Sequence, residues 1–139
     1  MAHLLFIAYP FKGCNDLTRA RLDLGKWGET LALKKVKKLG YKCLVQNYRC
    51  PLGEIDLIAR DKDFLVFIEI KTRKGSSIGY SKEAVDLRKQ RQLSKVALTY
   101  MKENNCIETK ARFDVIAIHL DRSEEEVEII QNAFELAYP

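Results

Sequence analysis

The chain has little with which to build a zinc site or a disulfide framework. Its 139 residues include only two histidines, His3 and His119, and four cysteines, Cys14, Cys43, Cys50 and Cys106. No two cysteines form a CxxC pair, and the Cys43–Cys50 spacing is too wide for an ordinary zinc knuckle. Both histidines are distant from them in sequence. Reduced, partly buried thiols of a cytosolic protein are the expectation. Long apolar runs are lacking as well. Nothing approaches the ~18 apolar residues needed to cross a bilayer. The short run Leu4–Tyr9 lacks the basic leader and small-residue cleavage site of a signal peptide. A cytoplasmic location without a membrane partner is therefore expected. Internal repeats and low-complexity tracts are also missing.

The residues present suit one globular domain. A chain of 139 residues, 47% hydrophobic and 31% charged, is long enough to bury a core without covalent staples. The formal net charge of +5 fits a polyanionic partner without requiring one.

Residues 1–16 read as an N-terminal extension, with a short strand conceivable at Leu4–Ala8, and residues 17–139 as a single domain. A helix is expected from Thr18 or Lys26 to Leu39, because Ala32, Val36 and Leu39 recur at helical spacing. Gly40 is its C-cap glycine, and Lys34, Lys35, Lys37 and Lys38 suit the negative end of its dipole. Three extended segments follow, Tyr41–Tyr48, Glu54–Arg60 and Phe64–Lys71. The turn Asp61-Lys62-Asp63 makes the second and third an antiparallel hairpin. After a Gly- and Ser-rich loop, Ser81 is the expected N-cap of a long helix running to Glu103 and stopped by Asn104-Asn105. Arg112–Leu120 alternates as a fourth strand, Glu126–Gln131 suggests a fifth, and Asn132–Tyr138 reads as a tail. The order αβββαβ(β) is an α/β pattern, a mixed sheet with helices on its faces.

The chemistry concentrates in the hairpin. Glu69 and Lys71 are two apart on a strand and share a face. Counting back from an Asp61–Phe64 pair sets Asp56 opposite Glu69, with Cβ atoms ~4.5–5.5 Å apart. An exposed ion pair would account for Glu69 and Lys71 alone. It would not account for placement, since Glu69 interrupts Phe64-Leu65-Val66-Phe67-Ile68 and Asp56 interrupts Ile55, Leu57 and Ile58. Acids inside apolar strands are costly unless paired or metal-bound. A hard divalent cation neutralises such a pair. Mg²⁺, with Mn²⁺ as a substitute, accepts two carboxylate oxygens and keeps waters; the Ile70 carbonyl offers a third protein ligand. The metal would polarise a phosphoryl oxygen and acidify a bound water. Lys71, about 7 Å along the strand, would orient that water or offset developing charge.

Three further sets border this centre. Glu29 lies at the edge of the first helix's apolar face, where a third carboxylate reaches the metal directly or through water, or pairs with nearby lysines on the surface. Gln90 shares spacing with Leu87, Leu93 and Ala97, and is either a contact to water or the scissile phosphate or a polar residue at the helix edge. Arg88, Lys89 and Arg91 on the same helix, with Arg73 and Lys74 after the third strand, are the expected nucleic-acid contacts.

Several segments together resemble the bacterial YraN family. They are Gly25-Lys26-Trp27-Gly28-Glu29, Leu39-Gly40-Tyr41, Asn47-Tyr48-Arg49, Gly53-Glu54-Ile55-Asp56-Leu57-Ile58, Phe67-Ile68-Glu69-Ile70-Lys71-Thr72-Arg73, Glu83-Ala84-Val85-Asp86 with Lys89-Gln90, Arg112-Phe113-Asp114-Val115 and Asn132-Ala133-Phe134. The match spans roughly residues 24–135. That family is described as predicted endonucleases distantly similar to archaeal Holliday-junction resolvases. The resemblance implies a restriction-endonuclease-like core and a PD-(D/E)XK nuclease site, with Asp56 as its Asp and Glu69 and Lys71 as its (D/E)XK part. Ile55 stands where the motif name has Pro. Glu29 matches the helix-one glutamate of the resolvase-like branch. The implied activity is Mg²⁺-dependent hydrolysis of phosphodiester bonds in structured or branched DNA, and the implied assembly a homodimer.

Overall fold

The computed structural model describes residues 14–74, 85–120 and 125–137, with the side chains of residues 14–22 and 74 left aside. The elements are α1 (Cys14–Lys38), β1 (Lys42–Cys50), β2 (Gly53–Asp61), β3 (Phe64–Lys74), α2 (Leu87–Glu103), β4 (Ala111–Leu120) and β5 (Glu125–Phe134). The strands form one sheet in the order β1-β2-β3-β4-β5. β3 and β4 run parallel, joined through α2, and the other neighbours are antiparallel. The order and the mixed sheet agree with the αβββαβ(β) reading and with a restriction-endonuclease-like core.

Each face of the sheet carries one helix. Leu65 and Phe67 of β3 pack with Leu93, Val96, Ala97 and Tyr100 of α2. Val66 and Ile68 pack with Leu31, Ala32 and Val36 of α1. This is the period of two expected of a strand buried on both faces. At ~25 cal/mol per Å² of apolar surface, these two layers are the main source of stability.

The helix ends follow local chemistry. α1 begins at Cys14, earlier than either expected start. It closes as read: Gly40 adopts φ 88°, Gly40 N–H donates to the Lys37 carbonyl at 3.0 Å, and Tyr41 N–H donates to the Val36 carbonyl at 2.9 Å. Those two bonds are a Schellman cap. α2 starts later than the expected Ser81 cap. Asp86 caps it, its carboxylate accepting the Lys89 N–H at 2.8 Å; Ser81, Glu83 and Ala84 lie outside the described residues. At the other end Asn104 Nδ2 donates to the Tyr100 carbonyl and Asn105 takes φ 52°, the stop the sequence indicated.

The expected tail at Asn132 is instead a continuation of β5. Pairing with β4 jumps from Val115–Ile130 to Phe113–Phe134, so Gln131–Ala133 bulge outward, with Asn132 at φ 51°. Beyond the bulge Phe134 stacks on Phe113 at 4.6 Å between ring centroids. That aromatic burial carries the strand past the polar Gln-Asn step, which looks like an ending in the sequence.

The bulge completes a buried polar network near the hairpin-turn end of the sheet. Asp114 is fully buried. It accepts from Arg112 Nε at 3.0 Å, Asn132 N–H at 2.9 Å and Tyr41 Oη at 3.2 Å. Arg112 Nη2 also donates to Asp61 at 2.8 Å and to Tyr41 Oη at 2.7 Å, and Gln131 Nε2 donates to Tyr41 Oη at 2.6 Å. Burial pushes the Tyr41 phenol above its ordinary value. Removing one partner of a buried ion pair strands the other charge. Arg112→Ala should therefore cost about 3 kcal/mol in urea unfolding, and a loss below about 1 kcal/mol would mean that the network is not a fastening.

Candidate functional site

The β2–β3 hairpin is regular from Asp61–Phe64 to Leu57–Ile68, as the two-residue turn requires, and its pairing ends there. One step further the strands part. The amide of Ile70 loses a ladder partner, and a buried N–H left unsatisfied is costly. Asp56 supplies the acceptor: its Oδ2 receives the Ile70 N–H at 2.8 Å. In a strand, the N–H and C=O of one residue point the same way in the sheet plane. The Ile70 carbonyl thus faces the same gap.

β2 is distorted at this point. Ile55 and Ile58 both pack on the α2 face while Leu57 packs on the α1 face. Strict alternation fails at Asp56, which turns toward β3. Across from it in β1, between the pairs Gln46–Leu57 and Tyr48–Ile55, stands Asn47 with φ 52°. Asn is among the few non-glycine residues that tolerate the left-handed region. A paired kink in β1 and β2 thereby aims the Asp56 carboxylate into the opening.

Glu69 lies beside it, 8% exposed, and packed among Ile55, Phe67 and Leu93. Burial pushes its carboxyl up to about 7, and the Asp56 carboxylate pushes in the same direction. Lys89 and Lys71 offset part of this. Lys71 Nζ lies 3.5 Å and Lys89 Nζ 3.7 Å from the same oxygen, Glu69 Oε1. The acids, Lys71 and the Ile70 backbone thus meet at the open end of the hairpin.

The other expected residues fall around this centre. Glu29, half-buried on α1, lines a shallow depression with Leu33, Gln46, Asn47, Asp56 and Ile70. Among the described residues, no three Asp, Glu, His or Cys side chains gather as a metal-binding cluster. Glu29 thus shares a depression with Asp56 and Ile70 without forming a three-carboxylate cluster. Gln90 is turned to its own helix end, its Nε2 donating to the Val85 carbonyl at 2.8 Å. Arg73, Arg88 and Arg91 are exposed, and Lys74 is the last residue of β3. Lys89, expected with the arginines as a nucleic-acid contact, reaches the acids themselves.

These donors fit Mg²⁺. Two carboxylates and a carbonyl are hard oxygen ligands, few enough to leave places for water. The penalty evident at Glu69, an acid desolvated beside another acid, is what a divalent cation relieves.

The sequence profile of the Uncharacterised protein family UPF0102 matches residues 28–118. A UPF0102 protein of Syntrophotalea carbinolica is 44% identical over 120 residues, covering 86% of this chain and 98% of that one. One from Geotalea daltonii is 48% identical over 116 residues, covering 83% and 91%. One from Clostridium botulinum is 46% identical over 118 residues, covering 82% and 95%. The chain belongs to the UPF0102 family. This is the YraN family that its motifs resemble.

The UPF0102 match begins at Gly28, and the structure gives that glycine a purpose. A Cβ there would lie 2.1 Å from Thr72 Oγ1 and 3.3 Å from Thr72 Cβ. α1 therefore rests on β3 at the residue after Lys71, which sets how near Glu29 comes to Asp56. Sequence reading missed Gly28 and Asn47 as shaping residues. An asparagine inside a strand was the available signal for the second. The first had none, because the contact is between elements.

The raised Glu69 carboxyl has a consequence for stability. A folded acid held above its ordinary 4.5 binds more protons than the unfolded chain. Its contribution is complete below about pH 4.5 and is lost as pH rises through about 7. A shift of this size corresponds to ~3 kcal/mol as an upper bound. In metal-free buffer, chemical unfolding should show stability falling from pH 5 to 8. Glu69→Gln should flatten that slope; an unchanged slope would place the carboxyl in its ordinary range.

Proposed function

We propose that this protein is a metal-dependent endonuclease that hydrolyses phosphodiester bonds in structured or branched DNA. The observation that carries the reading is the Asp56–Glu69 pair held at the parted end of the β2–β3 hairpin, with Lys71 Nζ 3.5 Å from Glu69. Glu69 is desolvated beside a second acid, a costly placement unless a cation compensates it. Asp56, Glu69 and the Ile70 carbonyl would hold Mg²⁺ or Mn²⁺, which supplies charge neutralisation at the phosphate and a more acidic water. Asp56 is already fixed by the Ile70 N–H and needs no rearrangement to bind. Lys71, on a rigid strand, places its ammonium beside the reacting centre, where it orients the water or offsets charge on the phosphate. Arg73, Arg88 and Arg91 on the rim would hold the backbone without reading sequence. A cytoplasmic location and a homodimer accord with this activity. None of the chain's helices is long and apolar enough to cross a membrane among the described residues.

Cleavage of junction, flap and single-stranded DNA with Mg²⁺ or Mn²⁺ tests the proposal. Asp56→Asn and Glu69→Gln should each abolish cleavage, and Lys71→Met should lower it by about 10²-fold or more, the range for losing one electrostatic donor. Cleavage that survives both acid substitutions would refute the site. Salt-sensitive DNA binding without cleavage in any metal would make the protein a binding module.

A further inference from the structure

Two ammonium groups converge on one oxygen of Glu69, and they differ in what holds them. Lys71 sits two residues along the same strand, and its strand pairs with β4 at Ala117. Its backbone position relative to Glu69 is fixed. Lys89 comes from another element, the first turn of α2, and its side chain is as exposed as that of Lys71, 34% against 33%. Among the described residues, the other charged group acting on Glu69 is Asp56, and Gln90, next along α2, has its amide engaged by the Val85 carbonyl. Lys89 and Lys71 both offset the charge burden on Glu69. Lys89 is thus the counter-charge of Glu69 that a separate element supplies, with no strand tying its backbone to the acid.

We infer that Lys89 is a displaceable counter-ion that couples metal uptake to the arrival of a DNA phosphate. This inference rests on the metal-dependent reading above and adds an order of events to it. Without DNA, Lys89 stays on Glu69 Oε1 and its positive charge opposes a second cation at the same carboxylate. A backbone phosphate at the rim offers Lys89 a stronger, more accessible anion. The flexible four-carbon stem lets the ammonium swing outward, and among the described residues Glu69 keeps Lys71 and Asp56 as charged neighbours. Metal affinity then rises when DNA is bound, and DNA affinity rises by the same factor when metal is bound, as linkage requires. Lys89 acts through Glu69 and is a positioning residue.

The test is a titration of Mn²⁺ followed by the electron paramagnetic resonance signal of the free ion. It uses the full chain, alone and with a cleavage-resistant phosphorothioate flap DNA. The wild type should bind Mn²⁺ roughly tenfold more tightly with DNA than without. Lys89→Gln should bind Mn²⁺ several-fold more tightly than wild type in the absence of DNA and lose most of the enhancement, whereas Lys89→Arg should keep it. Lys102→Gln, which removes the same charge from the far end of α2, should behave as wild type. Equal Mn²⁺ affinity and equal enhancement in wild type and Lys89→Gln would overturn the inference while leaving the metal site standing. Absence of Mn²⁺ binding in both proteins, with and without DNA, would overturn the metal-dependent reading as well.

Discussion

The hydrogen bond from the Ile70 amide to Asp56 is the constraint from which the rest of the centre follows. Where β2 and β3 part, a backbone donor needs an acceptor, and the chain meets that need with a carboxylate. The bond fixes one acid in the opening. It also brings that acid against Glu69, which is already short of solvent. Local backbone satisfaction and electrostatic frustration are thus produced by one contact. A hydrocarbon residue at position 56 would orphan the amide, and a neutral one would lift the like-charge burden from Glu69.

The sheet divides its polar groups by end. Near the hairpin turn, Asp61, Arg112, Asp114 and Tyr41 form a closed set in which buried charge finds a partner. At the open end the two acids are under-compensated. Both ends contain acids inside apolar strands. The distinction lies in the partner: a guanidinium with several donors aimed at fixed acceptors against two lysines at 3.5 and 3.7 Å. The first arrangement is a fastening, because every group is spent. The second retains capacity for a ligand.

Much of this was legible in the sequence because it is governed by short-range rules. The turn at Lys62-Asp63 sets the hairpin register as far as Leu57–Ile68; counting on would set Asp56 opposite Glu69, but the strands part there and Asp56 instead takes the Ile70 amide. Gly40 announces the end of α1, and the unbroken apolar run Phe64–Ile68 announces a strand buried on both sides. Other features stayed hidden for the opposite reason. Lys89 and Gln90 are adjacent in sequence, and the reading put the glutamine at the site and the lysine on the rim. Only the docking of α2 sends the lysine to the acids and turns the glutamine back on Val85. β5 looked finished at Gln131 because its bulge is polar, and its continuation depends on a stacking partner in β4. Gly28 is informative only once Thr72 is known to lie against it.

β3 changes character midway along its length. Up to Ile68 it is flanked by β2 on one side and β4 on the other; from Glu69 to Lys74 only the β4 side remains paired. One continuous strand is interior in its first half and a border in its second. The backbone at Thr72 faces the same flank as that at Ile70, beyond the reach of the ladder with β2. A stretch that begins as core therefore ends by presenting main-chain hydrogen-bonding groups along the lip of the opening.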